Sequence, residues 1–224
     1  MLAEDGNFLG LARLNRGLMG KGEALDSGYS TVLHMDSTEI PVYGEEEESA
    51  YNGHFESTCF HPLLLFNRGG DCFAAKLRPG NVHSAEGWDG LLLPEIERQH
   101  RLGKKVAFRA DAAFGKPEIY ETLESRDVKY TIRIPASENL ERDVAKLLPN
   151  QVGHPVTNRP CGTNAFSTRR QVGIRRGRWW QVEHHAGVLF PRLGFIVTNL
   201  TLPSRAVVRF YNKPRSGSRK ASRR

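Results

Sequence analysis

A chain of 224 residues is long enough for one large domain or two small ones. Its composition, 39% hydrophobic and 25% charged, is that of an ordinary globular protein and excludes disorder throughout. The formal net charge of +7 is compatible with a nucleic-acid partner, but it is unevenly distributed. Residues 1–150 carry 17 Lys and Arg against 24 Asp and Glu, a balance of −7, whereas residues 151–224 carry 15 against one acid, a balance of +14. Residues 204–224 hold eight of these cations and no acid, so residues 1–203 alone come to −1.

Three cysteines, Cys59, Cys72 and Cys161, form no closely spaced pair, which argues against a disulfide framework or a cysteine-based zinc site. No stretch approaches the roughly 20 continuous apolar residues of a membrane span. The start of the chain lacks the cationic and apolar segments of a signal peptide. These features predict a cytoplasmic protein in a reducing environment, with no membrane partner.

The opening 29 residues are glycine-rich, with short polar pieces between the glycines, and are interpreted as the remnant of a longer N-terminal region. The pattern then becomes β-rich, and residues 30–36 are predicted to form a strand that ends at or near Asp36. An acidic loop follows. Residues 57–67 and 72–80, with a turn between them, predict a β-hairpin whose first strand is largely buried.

Helices and strands alternate in the next part of the chain. Apolar spacing and a closing glycine predict a helix over residues 85–103. A short apolar strand, residues 106–111, then ends on Asp111. The following elements are predicted to be a helix, a strand and a helix, over residues 116–127, 128–136 and 138–148. This succession predicts an α/β fold with a mixed sheet flanked by helices.

Beyond residue 149 the sequence becomes rich in Gly, Pro and Arg. Strand-like runs occur at residues 178–184, 193–200 and 205–211. We interpret this region as a β-rich subdomain or insertion that is followed by a return toward the sheet.

Asp36 and Asp111 stand out because each lies at the end of a predicted strand. If these strands are neighbours, both carboxylates emerge at the same edge of the sheet. Hard oxygen ligands of this kind suit Mg²⁺ or Mn²⁺, and Mg²⁺ commonly takes only one or two protein carboxylates together with waters and substrate phosphates. The pair therefore predicts metal-dependent phosphodiester chemistry. Asp at a strand end is also a common turn residue, and that structural interpretation stays open.

Other catalytic chemistries lack their motifs in this sequence. There is no HExxH, no GxSxG and no GxxxxGK[ST] phosphate loop. His184 and His185 point to opposite faces of a predicted strand, so they cannot easily bind one metal. The acidic run at residues 45–48 is typical of a solvated loop.

The basic half contains a stretch, residues 168–180, in which arginines are interleaved with tryptophans. Guanidinium groups suit contacts with phosphates, and an indole can stack on an unpaired base. At least one of the two tryptophans is equally well explained as a core residue of a strand. The arginines predicted to contact DNA are Arg169, Arg170, Arg175, Arg176 and Arg178.

Residues 27–213 contain the stretches VLHMDSTEIPVYG, YNGHFESTCFHPLLLFN, AAKLRPGNVHSAEGW, VAFRADAAF, KYTIRIPA, LFPRLGFIVTNL and RAVVRFYNK. These stretches resemble the catalytic region of the DDE transposases of bacterial insertion sequences, in the branch marked by a Tyr-Arg-Glu-Lys signature. The resemblance implies a ribonuclease H-like fold with a β-rich insertion, and catalytic, metal-binding roles for Asp36 and Asp111. It also implies DNA transposition by a homodimer on DNA, with nicking at the element ends and attack of a freed 3′-hydroxyl on target DNA.

The sequence departs from that signature near its end. Counted from Tyr211, the signature places Arg at Pro214 and Glu at Ser218, and its Lys falls beyond residue 224. The third catalytic carboxylate and the last catalytic helix are therefore expected to be missing. Inserting one C into codons for Lys-Arg-Gly yields Lys-Pro-Arg, which favours a frameshift at residues 213/214. Only 35 residues precede Asp36, where the family carries a long helical segment, so truncation at both ends is expected.

The expected organisation begins with an N-terminal remnant (residues 1–29) and a ribonuclease H-like core (30–149). A β-rich insertion (150–204), a return strand (205–213) and an out-of-frame disordered tail (214–224) are expected to follow. The favoured hypothesis is a transposase-type protein that is inactive in this form. The alternative is a non-enzymatic, DNA-binding remnant of a transposase. A third hypothesis is an unrelated ribonuclease H-like nuclease that takes an acid from elsewhere, such as Glu39 or Glu183.

Overall fold

The computed structural model describes residues 5–25, 28–44, 46–138, 142, 164–168, 177–183 and 192–212. Two compact units divide the chain, the first ending at Arg109 and the second spanning Ala110–Lys213. Each unit combines strands with helices, so the α/β class predicted from the sequence is confirmed.

The described part of the first unit contains two helices, four strands of a main sheet and a separate small sheet. The helices are α1 (Asp5–Leu25) and α2 (Trp88–Arg101). The main-sheet strands are β1 (Ser30–Ser37), β5 (Leu63–Phe66), β6 (Cys72–Lys76) and β7 (Lys105–Ala110), in the spatial order β6-β5-β1-β7. The small sheet has the order β2-β4-β3, with β2 (Ile40–Pro41), β3 (Ala50–Asn52) and β4 (Ser57–Phe60).

Strand β1 lies between β5 and β7 in the main sheet. It is antiparallel to β5, with Asp36 opposite Leu64. Toward β7, the backbone N–H of Lys105 donates to the carbonyl of Tyr29 at 2.9 Å, and Arg109 contacts His34 across 75 residues. The two separations, 76 and 75 residues, are nearly constant along the pair, whereas they would shrink rapidly between antiparallel strands. β1 and β7 are therefore parallel, and the sheet is mixed.

Both faces of β1 are covered. Leu33, His34 and Met35 are consecutive residues, and each is at most 2% exposed. Since successive side chains of a strand point to opposite faces, such a run requires packing on both sides. The same strand becomes only partly buried at Asp36, next to its last residue.

Helix α1 occupies the glycine-rich opening that the sequence analysis treated as short polar pieces. The structure corrects that interpretation with a helix of 21 residues. Helical glycines cost about 1 kcal/mol each relative to Ala, and tertiary contacts offset this cost. Asn15 Nδ2 donates to the Cys72 carbonyl at 3.0 Å, and Glu23 accepts hydrogen bonds from Arg98 and Gln99 of α2, both at 2.5 Å.

The predicted hairpin over residues 57–80 is only partly correct. Its second half is a hairpin of β5 and β6, but the predicted first strand is broken into β4 and β5 at His61 and Pro62. Proline has no N–H to donate to a ladder, so the strand pairs differently on its two sides. Before Pro62 it pairs with β2 and β3, and after Pro62 it pairs with β1 and β6.

In its described residues, the second unit contains one 3₁₀ turn (Ala112–Phe114), two helices and four strands. The helices are α3 (Pro117–Ser125) and α4 (Ser204–Asn212). The strands are β8 (Lys129–Ile134), β9 (Asn164–Thr168), β10 (Gly177–Glu183) and β11 (Arg192–Thr198). They are antiparallel in the order β8-β11-β10-β9. The helix predicted over residues 138–148 falls almost entirely outside the described residues.

Helix α4 replaces the return strand predicted over residues 205–213, and that prediction is wrong. Val207 and Val208 are buried against Ile196, and Tyr211 packs on the same cluster. Positions i, i+1 and i+4 share one side of a helix, whereas a strand would divide them between two faces. The helix begins directly after Pro203, whose carbonyl accepts the N–H of Ala206 at 2.8 Å.

Within the described part of the chain, no helix has the length and apolar character needed to cross a bilayer.

A close backbone approach at Gly80 leads to a stability prediction. A Cβ at this position would clash with the carbonyl oxygens of Ala50 and Cys59, the latter at 2.6 Å. We expect Gly80→Ala to destabilise the protein by about 1–3 kcal/mol, as overpacking commonly does. Urea denaturation measures the change in the free energy of unfolding.

Gly90 provides the matched control, because it lies in α2 and a Cβ there would meet nothing within 4 Å. Gly90→Ala should be neutral or stabilising by up to about 1 kcal/mol. Equal losses of stability in the two variants would contradict the assignment of the clash to Gly80.

Candidate functional site

Asp36 lies next to the end of the buried strand β1 and is partly buried. Its Oδ1 accepts the backbone N–H of Ser37 at 3.0 Å. By strand alternation it shares a face with His34, while Leu33 and Met35 occupy the opposite face. The strand thus delivers this carboxylate at the point where burial ends, as the sequence predicted.

Asp111 directly follows β7 and is exposed. Its backbone is extended, and its Oδ1 accepts the N–H of Ala113 at 3.0 Å, so it caps the 3₁₀ turn Ala112–Phe114. Asp is favoured at such positions because a short side chain with an acceptor oxygen satisfies a free N–H at the start of a turn. The structural role considered for this residue is therefore present, and it occupies one oxygen of the carboxylate.

A side-chain contact joins β1 and β7 two residues before each of the two acids. Arg109 Nε donates to His34 Nδ1 at 2.9 Å, and Arg109 Nη2 lies 3.1 Å from His34 Nε2. His34 is 2% exposed. This pair was not predicted from the sequence, although each member stands two residues before an aspartate, in HMD and in RAD.

A buried cation, Arg78, shapes the loop that precedes α2. Its Nε donates to the His61 carbonyl at 2.8 Å and its Nη1 to the Glu86 carbonyl at 2.6 Å. Burial lowers the pKa of Arg78, and the charge of Glu86 acts in the opposite direction. Burial also lowers the pKa of His61, while the Val82 carbonyl acts against this shift. Both groups contact backbone carbonyls of this loop.

Four of the five arginines predicted to contact DNA lie outside the described residues. They are Arg169, Arg170, Arg175 and Arg176. Arg178 belongs to β10, where its backbone lies opposite Thr168 and Val197. Glu183, named in the third hypothesis, ends the same strand. The other acid of that hypothesis, Glu39, accepts a hydrogen bond from Ser57 in the small sheet.

The donor set of the site fits a hard divalent ion. Carboxylate oxygens suit Mg²⁺ or Mn²⁺, and Mg²⁺ is often bound through one or two carboxylates. Across residues 5–138 and the later described segments, no group of three or more His, Cys, Asp or Glu side chains is arranged to hold a metal. A metal at Asp36 or Asp111 would therefore depend on water or phosphate for its remaining ligands.

The fold and the two strand-end acids agree with a family match. Residues 21–216 match the family described as transposase DDE domain group 1. The chain therefore belongs to this family of DDE transposase domains. A comparison with curated protein sequences gives no match.

Two solved transposase structures are similar to this chain at low sequence identity. The piggyBac transposase in a synaptic complex with hairpin DNA is 12% identical, with a TM-score of 0.51 over 83% of this chain and 38% of its own. The Mos1 mariner transposase in a paired end complex with Mn is 14% identical, with a TM-score of 0.32 over 56% of this chain and 41% of its own. The first similarity supports the fold, which is ribonuclease H-like as predicted. The chain spans less than half the length of either protein.

The cap made by Asp111 leads to a second prediction. Asp111→Ala should destabilise the protein by about 0.5–2 kcal/mol, because it leaves the Ala113 N–H without its side-chain acceptor. Asp111→Asn keeps an acceptor oxygen and should stay within about 0.5 kcal/mol of the wild type. Chemical denaturation of the three proteins measures the difference. If Asp111→Asn lowers the free energy of unfolding as much as Asp111→Ala does, the carboxylate charge rather than the cap stabilises the turn.

Proposed function

We propose that this chain is a transposase-type protein of DNA transposition in which Asp36 and Asp111 are the metal-binding carboxylates. Membership of the DDE transposase family supports the transposition function. The observation that carries the site is the position of each acid at the end of a strand, in strands that are parallel neighbours. Asp36 and Asp111 are separated by 111 − 36 = 75 residues, which equals the separation of His34 and Arg109.

The proposed metal is Mg²⁺ or Mn²⁺. When bound, such an ion stabilises negative charge on phosphodiester oxygens and makes a bound water more acidic. The chain contributes the two carboxylates and their orientation, through the Ser37 N–H at Asp36 and the Ala113 N–H at Asp111. Both hydrogen bonds come from the backbone, so the carboxylates are oriented by their own strand ends.

The proposed partner is DNA, both the ends of a bacterial insertion sequence and the target, bound by a homodimer in the cytoplasm. The balance of +14 over residues 151–224 supports a polyanionic partner. The piggyBac structure contains hairpin DNA, which agrees with this proposal.

We further propose that the 224-residue chain joins DNA strands negligibly. Ser218 stands where the family signature places a glutamate. Serine in place of that glutamate removes one negative charge and a strong oxygen ligand from a site that must offset the charge of divalent cations. Weak metal binding by the two aspartates is compatible with this loss of strand transfer.

Metal binding gives the third prediction. Titration calorimetry with Mn²⁺ should detect weak binding to the full chain, and Asp36→Asn or Asp111→Asn should weaken it by at least about tenfold, because each removes an anionic ligand. The matched control is Asp89→Asn, an exposed acid in the first turn of α2, which should leave the affinity unchanged. Equal affinities in all four proteins would contradict the assignment of the ligands. Robust Mg²⁺-dependent joining of DNA by the wild type would contradict the proposed inactivity.

The alternative function is DNA binding without catalysis, and the charge asymmetry of the chain favours it as a second candidate. Phosphate contacts by arginine release condensed counterions, so the affinity should fall steeply with salt and depend little on DNA sequence. This behaviour would hold whether or not the aspartates bind metal.

Salt dependence gives the fourth prediction. Fluorescence anisotropy with a short labelled duplex should show a steep loss of affinity as salt rises. The double change Arg175→Ala with Arg176→Ala should reduce the slope of log K against log salt by about 2, since each lost phosphate contact contributes about 0.9. The control is Arg13→Ala with Arg16→Ala, two exposed residues of α1. A slope that is the same in both double variants would remove the arginine stretch from the interface.

A further inference from the structure

We propose that His34 and Arg109 are positioning residues for the metal-binding carboxylates, acting through the register of β1 on β7. This inference rests on the proposed function, because it assumes that Asp36 and Asp111 bind the metal.

The contact is specific in its geometry. Arg109 Nε donates to His34 Nδ1 at 2.9 Å, while Nη2 lies 3.1 Å from the other ring nitrogen, Nε2. Arginine only donates, so this hydrogen bond requires Nδ1 to be the unprotonated nitrogen and Nε2 to carry the proton, and the approach of Nη2 to Nε2 is a packing contact. The hydrogen bond fixes the tautomer of the ring and its direction toward Arg109. Since His34 is 2% exposed, a slipped register would leave a buried polar ring without this partner, which is costly.

The pair lies one step from the acids on both strands. Side chains at i and i+2 of a strand point to the same face, about 7 Å apart. The side chain of His34 therefore points to the same face of β1 as that of Asp36, and Arg109 is two residues before Asp111. In a parallel pair the separation between facing residues stays constant along the ladder, and it is 75 residues for His34 and Arg109. Locking this pair sets the offset at which the two strands end.

The charge of Arg109 supports the same role. A guanidinium is always protonated in proteins, so Arg109 provides a fixed positive charge within two residues of Asp111. Lysine would keep the charge, but it presents one compact ammonium group and cannot reproduce both the hydrogen bond and the packing contact with the ring. The comparison of Lys with Arg at this position therefore separates register from charge.

The test is a set of Mn²⁺ titrations and urea denaturations on the full chain. Arg109→Lys and His34→Gln should each weaken Mn²⁺ binding by about 10–100-fold, the loss typical of residues that orient metal ligands. The double variant should bind no more weakly than the poorer single variant, because the two residues act as one unit.

A stability-matched control separates positioning from general loosening. Glu23→Gln disrupts a comparable polar contact, between α1 and Arg98 of α2. It should lower the free energy of unfolding and leave the Mn²⁺ affinity unchanged. If Glu23→Gln weakens Mn²⁺ binding as much as Arg109→Lys does, the effect is general loosening and the inference is overturned.

The inference and the proposed function fail in different ways. Mn²⁺ affinity equal to that of the wild type in a folded Arg109→Lys or His34→Gln protein, with affinity lost in Asp36→Asn, would overturn the positioning role alone. Affinity retained in both Asp36→Asn and Asp111→Asn would overturn the proposed ligands. Because the two positioning variants alter different strands, either one that folds is sufficient for the test.

Discussion

Burial of β1 on both faces is the constraint on which the arrangement of the first unit depends. Three consecutive residues, Leu33, His34 and Met35, have almost no exposed surface. A charged side chain in such a segment would lose its hydration, so charge is accommodated only at the strand end or against a partner. Asp36 is found at the end, and the polar ring of His34 has Arg109. The same burial that stabilises the sheet therefore determines where a charged side chain can lie on this strand.

Polar contacts connect helix α1 and the loop before α2 to the rest of the first unit. Helix α1 is connected to β6 through Asn15 and to α2 through Glu23, while Leu11, Leu14 and Leu18 are each more than half exposed. The loop before α2 is held by the buried guanidinium of Arg78. Hydrogen bonds are directional, so these contacts specify orientation more strongly than apolar packing of the same size would.

Much of the fold could be predicted from local patterns. Apolar runs bounded by turn residues identified β1, β7 and β8, and helical spacing with Gly103 identified α2, because these signals lie within one element. The break at Pro62, the small sheet and helix α4 were not predicted in this form. Each depends on pairing or packing with residues distant in sequence, as Val207 and Val208 do with Ile196. Local β propensity suggested a strand there, and tertiary packing favoured a helix.

The residues of the candidate site also differ in whether they could be predicted from the sequence. Asp36 and Asp111 could be found because a strand end is visible in the sequence. The contact of His34 with Arg109 could not, because 75 residues separate them and only the parallel register of β1 on β7 brings them together. The prediction that arginines in the basic half face DNA falls mostly on residues 169–176, outside the described part of the chain, and stays a prediction.

The distribution of lysine and arginine along the sequence explains why a cation that contacts β1 comes from another strand. Residues 24–67 contain no lysine or arginine, and β1 lies within this stretch. Any positive side chain that offsets the charge of Asp36 from within the protein must therefore come from another part of the chain. Strand β7 supplies Arg109, which contacts His34 of β1 at a position set by backbone pairing rather than by a flexible loop. Pairing of β1 with β7 therefore brings a cation to a strand whose own part of the sequence contains none.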